Sequence, residues 1–327
     1  MKHQSDTALQ QLLTRCVRAA GSAPSLHNSQ PWWFRIDGDT VEVHADPARR
    51  LEVLDPSGRE LMISVGAAVF TLRAAIRGAG RIPDFDVFPD PELPNLVARV
   101  RLGMPSPPSA MARALADAIP LRHTNRRPFH AAVVPADDLA RLREAAAFEG
   151  AILTVAGAAG RTIIVGLGQA AEQRLRSHTG YRAELSHWTR PVTGRRDGIP
   201  ATAIGPWDAL ERMPVRDFGL VNAPPVRRSE PFEAYPTIMI LATGGDRPHD
   251  WVCAGQALQR VLLTATRAHL ATTPISQPVE VPAIRELLSG PGSAHHAQMI
   301  IRLGYGEPAP VTPRRPLAEV LHEDQPR

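Results

Sequence analysis

The apolar positions fall into a series of short periodic segments. From Asp6 to Ala20, Leu9, Leu12, Leu13, Cys16 and Val17 recur at helical spacing, and Gly21 closes the run. Two short runs follow, Trp32 to Ile36 and Thr40 to His44. Asp37-Gly38-Asp39 lies between them as a hairpin signal. Leu61, Val65, Val69, Leu72 and Ile76 form one stripe and predict a helix over Ser57 to Ala79. Leu96 to Leu102 reads as a strand ending at Gly103, before the proline-rich linker Met104-Pro105-Ser106-Pro107-Pro108.

A comparable series then restarts. A helix is expected over Pro135 to Ala147, a strand over Ala151 to Val155 and a helix over Arg161 to Leu175. Between about Ser177 and Pro231 the periodicity dissolves into Pro, Gly, Trp and Arg, the composition of a lid or a disordered insertion. Thr237 to Ala242 reads as a strand, Ala254 to His269 as a helix and Met299 to Leu303 as a strand ending at Gly304. Val65-Gly66-Ala67-Ala68 parallels Ala254-Gly255-Gln256-Ala257. Each is followed by a strand ending Arg-Leu-Gly, at Arg101-Leu102-Gly103 and Arg302-Leu303-Gly304. The order suggests an internal repeat.

Composition narrows the function classes. The chain has 327 residues, 43% of them apolar, enough for a large core. No run of eighteen apolar residues and no secretory-type N-terminus occurs, so a membrane span is not expected and the cytoplasm is the expected location. Cys16 and Cys253 are too few for a disulfide framework or a zinc site. The net charge is +4, and Lys2 is the sole lysine. The arginines are scattered in pairs, without the basic run and interleaved aromatics of a nucleic-acid surface, so no nucleic-acid partner is expected. Such pairs suit a small anion such as a phosphate monoester. Ser25 with His27 lacks the third member of a nucleophilic triad, and His295-His296 lacks further metal ligands nearby in the chain.

Two motifs carry candidate chemistry. Ala23-Pro24-Ser25-Leu26-His27-Asn28-Ser29-Gln30-Pro31-Trp32 sits in the loop before the hairpin. Its Ser25 and Asn28 offer a hydroxyl and an amide to a polyhydroxylated chain or a heterocycle edge. Arg122-His123-Thr124-Asn125-Arg126-Arg127 precedes the second series and has the donors of an anion grip. A third basic piece, Pro313-Arg314-Arg315-Pro316, lies near the C-terminus.

Together these segments resemble the FMN-dependent nitroreductase fold family. In that family an Arg-x-Ser-x-Arg/Lys segment grips FMN. A Pro-Ser-x-x-Asn-x-Gln-Pro-Trp loop from the second subunit completes the site, and a basic pair near the C-terminus helps hold the phosphate. Pro24 to Trp32 fits the loop at every named position, and Arg122 to Arg126 fits the grip with Thr in place of Ser. The first series has the loop without a grip before it; the second has the grip without a loop after its helix. That division resembles the fused, Acg-like NAD(P)H nitroreductases of actinobacteria.

The resemblance implies an α+β nitroreductase-like fold in two tandem copies, 1–118 and 119–327, forming an internal pseudo-dimer, with a lid-like insertion at about 177–231 in the second copy. It implies one FMN, NAD(P)H as electron donor and a small-molecule acceptor, nitro-aromatic or quinone-like. Arg122 and Thr124 would reach the ribityl chain and the phosphate, and Arg126 the N1/C2-carbonyl edge of the flavin. Pro24, Ser25 and Asn28 would line the opposite side, and Arg314 and Arg315 would close on the phosphate. A backbone N–H at Ser276 or Gln277 would face flavin N5. Trp32 reads as core. Flavin would carry the chemistry, so no side chain need be an acid or nucleophile. No Gly-x-Gly-x-x-Gly marks a Rossmann domain. An internal pseudo-dimer is compatible with a monomer. The alternative is a flavin-sequestering protein with the insertion shut over its site.

Overall fold

The computed structural model describes residues 2–208, 210, 213–290 and 292–322. Two mainly antiparallel sheets share one plan. In the first, β1 (Trp32–Asp37), β2 (Thr40–Ala45), β3 (Arg81–Val87) and β4 (Leu96–Pro105) lie in the order β1-β2-β4-β3. In the second, β5 (Ile152–Val155), β8 (Thr237–Thr243), β9 (Ala271–Ile275) and β10 (His296–Gly304) lie in the order β5-β8-β10-β9. Chain order maps onto sheet order identically, and these neighbouring strands pair antiparallel in both. Each sheet spends its second connection on one long helix, α2 (Arg59–Gly78) or α7 (Pro248–Arg267).

The inward positions of β1, Trp32 and Phe34, are fully buried, so Trp32 belongs to the core as its place before the hairpin implies. Arg81–Val87 was not legible as a strand because Pro83 stands within it; it is an edge strand, which tolerates the proline, and its exposed Asp84 and Asp86, alternating with half-buried Phe85 and Val87, discourage further pairing. Ala271–Ile275 was equally hidden by Pro274, which an edge strand tolerates.

The two long helices cross where the repeat predicts equivalent positions. A Cβ on Gly255 would run into the Ile63 carbonyl and stand 2.9 Å from the Gly66 Cα, and one on Gly66 would strike the Val252 carbonyl. The obstacles are backbone and cannot swing aside. Gly255→Ala is therefore expected to lower stability by about 3 kcal/mol. Gly166→Ala, on the exposed face of a helix with no atom within 4 Å of the new Cβ, should instead be neutral or stabilising. Paired denaturant titrations check both. The helix α2 is long and apolar enough to cross a membrane by composition, but most of it is buried here between sheet and neighbouring helix.

Several connections depart from the expected pattern. The linker after β4 leads into α3 (Ala110–Ala118), whose N-cap Ser109 accepts from the Ala112 N–H at 3.2 Å. The helix α4 (Ala136–Ala147) then precedes β5, and α1 spans Lys2–Ala20. Between β5 and β8 the chain makes a long excursion through α5 (Ala158–Arg176) and α6 (Tyr181–Thr189), followed by the short parallel pair β6 (Trp207–Asp208) and β7 (Ser229–Glu230). The counterpart in the first sheet is the two-residue turn at Gly38 and Asp39. So the stretch expected to be irregular from 177 contains a helix, with Tyr181, Leu185 and Trp188 buried against Leu51 and Leu54. After β9 come α8 (Gln277–Glu280) and α9 (Pro282–Ser289). Beyond β10 the chain returns to the first sheet through α10 (Leu317–Val320), and β11 (Leu321–His322) adds to β1 in parallel. That return path carries Arg314 and Arg315 to the polar loop.

Candidate functional site

Three segments converge on one cleft. The first is the polar loop after α1. His27, Asn28 and Gln30 all adopt left-handed backbone, with φ of 50°, 56° and 50°, a conformation that non-glycine residues hold only when their surroundings enforce it. Here Ser25 Oγ accepts from the Gln30 N–H at 2.9 Å. Gln30 Nε2 donates to the Asn28 carbonyl at 3.2 Å, while its Oε1 accepts from the Arg315 N–H at 2.8 Å. The second segment is Arg122 to Arg127, which runs beside β9: the Asn125 N–H donates to the Thr272 carbonyl at 2.9 Å, and Thr124 pairs with Thr272. That pairing brings Thr124 and Arg126 beside the third segment, Pro274 to Gln277.

The cleft encloses about 650 Å³, the open space at its mouth included. Pro24, Ser25, Thr124, Arg126, Ser276 and Gln277 line it together. Of the remaining residues singled out from the sequence, Arg122 and Arg314 do not line it but meet at the Ser22 carbonyl, to which they donate at 3.4 and 3.3 Å.

Two positions differ from expectation. The Asn28 amide is committed to the protein: Nδ2 donates to the Gly198 and Pro313 carbonyls, each at 3.0 Å, and Oδ1 accepts from Arg314 at 2.9 Å. Its place is that of a tie holding Arg314, not of a group facing the cleft. Arg315 likewise spends its guanidinium on the Gln30 and Trp32 carbonyls, both at 3.3 Å, and on Glu319. The physical reason is the same for both: the returning C-terminal segment needs polar anchors, and these side chains supply them.

Electrostatics marks the arginines of this region as buried cations. Arg122 is 3% exposed, forms no ion pair with a carboxylate among the described residues and leaves its Nε without a partner. Burial, and then the neighbouring Arg314, pull its pKa down to about 9. Arg314 also leaves Nε unpartnered, and burial brings it down to about 10. Arg126 stacks over the Phe218 ring at 4.8 Å and donates to the Ala203 carbonyl at 3.1 Å; burial, then Arg216, bring it down to about 10. Buried like charges without counterions are costly, and such a site favours an anion. Two unsatisfied Nε donors near one carbonyl fit a phosphate group.

The structure gives His27 of the polar loop a place in the cleft and adds residues that sequence reasoning passed over. His27 presents its edge to Phe218, with ring centroids 5.0 Å apart, and neither ring nitrogen has a partner. Burial, then Arg216 and Arg126, hold it well below the usual histidine range, so it is neutral. Phe218 and Arg216 come from the excursion between β5 and β8, and Glu60 from the first turn of α2. No local pattern marks these three, because only the tertiary fold brings them to the cleft.

Against known proteins, the nitroreductase family model matches residues 120–305. The chain belongs to the nitroreductase family. The matched part begins just before Arg122 and ends at Tyr305, beyond β10, so the polar loop and Arg314 lie outside it. Similarity to relatives spans both parts of this nitroreductase-family chain. A Mycobacterium tuberculosis protein named "Putative NAD(P)H nitroreductase Rv3131" is 33% identical over 321 residues, 95% of this chain and 90% of that protein. Another from the same organism, named "Putative NAD(P)H nitroreductase acg", is 32% identical over 319 residues, 95% of each. Among solved structures, the FMN-dependent nitroreductase NfnB from Mycobacterium smegmatis in complex with NADPH is 17% identical. It aligns with 66% of this chain and 100% of that one, at a TM-score of 0.41.

Proposed function

We propose that the chain binds one FMN in the cleft and transfers hydride from NAD(P)H through the flavin to a nitro-aromatic or quinone-like acceptor. The observation that carries this reading is the buried pair Arg122 and Arg314. Both donate to the Ser22 carbonyl, two residues before the cleft-lining Pro24, with unpartnered Nε atoms and no ion pair to a carboxylate among the described residues. A phosphate monoester is the group that such a pair lacks. The names of the M. tuberculosis relatives point the same way. FMN, when bound, supplies the hydride-accepting and hydride-donating centre.

The protein's own part is positioning and charge. Arg122 and Arg314 neutralise the phosphate, and Asn28 holds Arg314 in place. Arg126, an unpaired cation steadied by Phe218, offsets negative charge gained on reduction. Thr124, Ser25 and Pro24 shape the walls, and the chain at Ser276 and Gln277 offers backbone to the reacting edge.

The same reading treats the chain as two nitroreductase-like copies, residues 1–118 and 119–327, fused into a pseudo-dimer that retains one site. Identical strand order and the facing glycines Gly66 and Gly255 support it. A fused pair of this kind serves as a cytoplasmic monomer. The excursion between β5 and β8, wider than the 177–231 insertion expected, acts as a lid. Its contacts with the polar loop support this: Gly198 exchanges hydrogen bonds with Asn28, and Gln30 donates to the Arg196 carbonyl at 2.9 Å; beside the loop, Asp197 pairs with Arg49. The deciding experiment is to purify the protein, quantify flavin per chain by its visible absorbance, and add NADH or NADPH anaerobically. One FMN per chain, bleached by a nicotinamide and restored by a quinone or nitro compound, is the expected result. Protein without flavin, or with flavin that no nicotinamide reduces, would sink it.

A further inference from the structure

A quinone that receives a hydride becomes a hydroquinone only when it also gains a proton. The hydride brings two electrons and one proton to one oxygen, and a new O–H bond must form at the other. The proposed function, on which this inference rests, leaves the source of that proton open. Among the residues lining the cleft only His27 and Glu60 could exchange a proton near neutrality. Burial, and then Arg216 and Arg126, oppose the charging of His27, so it has no imidazolium proton to give.

Glu60 is differently placed. It projects from the first turn of α2 into the cleft and is 3% exposed. Its surroundings set two carboxyl groups, Asp55 and Glu280, against the cations Arg59 and Arg285. From the preceding loop, Asp55 accepts the N–H groups of Glu60 and Leu61 at 3.0 and 2.8 Å. From α8, Glu280 pairs with Arg216 through one oxygen and leaves the other unpartnered. Arg59 pairs with Glu60 and also binds the Gln298 carbonyl at 2.8 Å. Arg285 on α9 is occupied by Asp246 at 2.5 Å. Three buried carboxyl groups, Asp55, Glu60 and Glu280, thus lie close together with Arg59 and Arg216 between them, and Arg126 lines the same cleft. Of the three, only Glu60 lines the cleft.

We propose that Glu60 is the proton donor to the acceptor in the oxidative half of the reaction. The Glu60 O–H bond breaks as the second O–H of the hydroquinone forms, and the carboxylate left behind recovers its proton from water at the mouth of the cleft. Burial, together with Glu280 and Asp55 against the opposing pull of Arg59, raises its pKa to about 7, which keeps the acid form available near neutrality.

The test uses the flavin-loaded protein, reduced with dithionite so that it is independent of the nicotinamide, and mixed anaerobically with a para-quinone or with ferricyanide. The quinone accepts electrons and protons; ferricyanide accepts electrons alone. In the unaltered protein, reoxidation by the quinone should fall towards tenfold per pH unit above neutrality, following loss of the protonated acid. The ferricyanide rate should show no such fall. Glu60→Gln should slow the quinone reaction about 100-fold and remove its pH dependence, leaving the ferricyanide rate within about twofold. Glu60→Asp should restore a pH-dependent quinone rate. A flat quinone profile in the unaltered protein, or undiminished quinone reduction by Glu60→Gln, overturns the assignment. The first of these decides the matter even if the variants fail to fold. Protein that carries and reduces flavin but shows a flat profile refutes only Glu60; protein that carries no flavin refutes the underlying reading as well.

Discussion

Arg122→Met is expected to weaken FMN binding about 100-fold while leaving riboflavin, which lacks the phosphate, bound as before. A buried, charge-assisted contact to phosphate is lost, and truncating one partner of such a pair costs ~2–5 kcal/mol. The same substitution should stabilise the flavin-free protein, because it removes one of two adjacent buried cations that have no counterion. The opposite signs matter, since general damage to the fold would lower both affinity and stability. The pH dependence follows from the depressed pKa. The folded group gives up its proton near pH 9, whereas an unfolded arginine keeps it to well above that. Below pH 9 both states are charged and the folded protein carries the full cost. Above it, the unfolded state binds more protons, so the stability of the unaltered protein rises relative to the variant. The stabilisation conferred by Arg122→Met should therefore be largest below pH 9 and shrink above it. Titrations with FMN and riboflavin, with denaturant melts across that range, measure all three effects. Equal loss of FMN and riboflavin would place the phosphate elsewhere.

Most of the regular elements could be read from the chain because their apolar periodicity is local: Leu61 to Ile76 on α2 and Thr237 to Ala242 on β8 need no tertiary information. The elements that escaped have an identifiable reason. Pro83 in β3 and Pro274 in β9 are permitted because those strands are edges, a property visible only once the sheet is assembled. The helix α6 hid in a Pro- and Arg-rich stretch because its buried face packs on Leu51 and Leu54, more than a hundred residues away in sequence. The site divides similarly. Pro24, Ser25, Thr124 and Arg126 were flagged by motif and do share a cleft. Asn28 was flagged by the loop motif and Arg315 by the basic pair near the C-terminus, but their hydrogen-bonding groups are taken by Gly198, Pro313, Gln30 and Trp32. A motif names residue types at a spacing; whether a side chain faces a ligand or anchors the loop that faces it depends on what passes behind. Glu60 and Phe218 mark the converse limit, since one reads as an ordinary helix start and the other as part of a featureless excursion.

Asp197→Ala is expected to open the cleft. Arg49 and Arg195 both converge on this carboxylate, and both guanidinium groups also lie over the Trp188 ring, at 5.8 and 5.6 Å. This cluster joins the excursion to the chain beside the polar loop, where Arg49 donates to the Ser29 carbonyl at 2.6 Å. Removing the carboxylate leaves two arginines repelling each other where one anion had held them. A loss of ~1.4 kcal/mol favours the open state about tenfold. If the excursion is a lid, reduction of bound flavin by dithionite or NAD(P)H should quicken by about that factor, with no change in the flavin spectrum. Acid should act in the same direction. Burial pushes the Asp197 pKa up, but Arg195 and Arg49 outweigh it and hold it below the ordinary aspartate value. The clamp therefore contributes in full above that value and is lost as the pH falls through the lowered one. In Asp197→Ala that acid-driven acceleration should be absent. Phe218 lies deeper, between His27 and Arg126, and is untouched by the substitution. A variant that reacts no faster would therefore mean that access is governed by that ring and not by the Arg49–Asp197 clasp, and Phe218→Ala would then carry the acceleration instead.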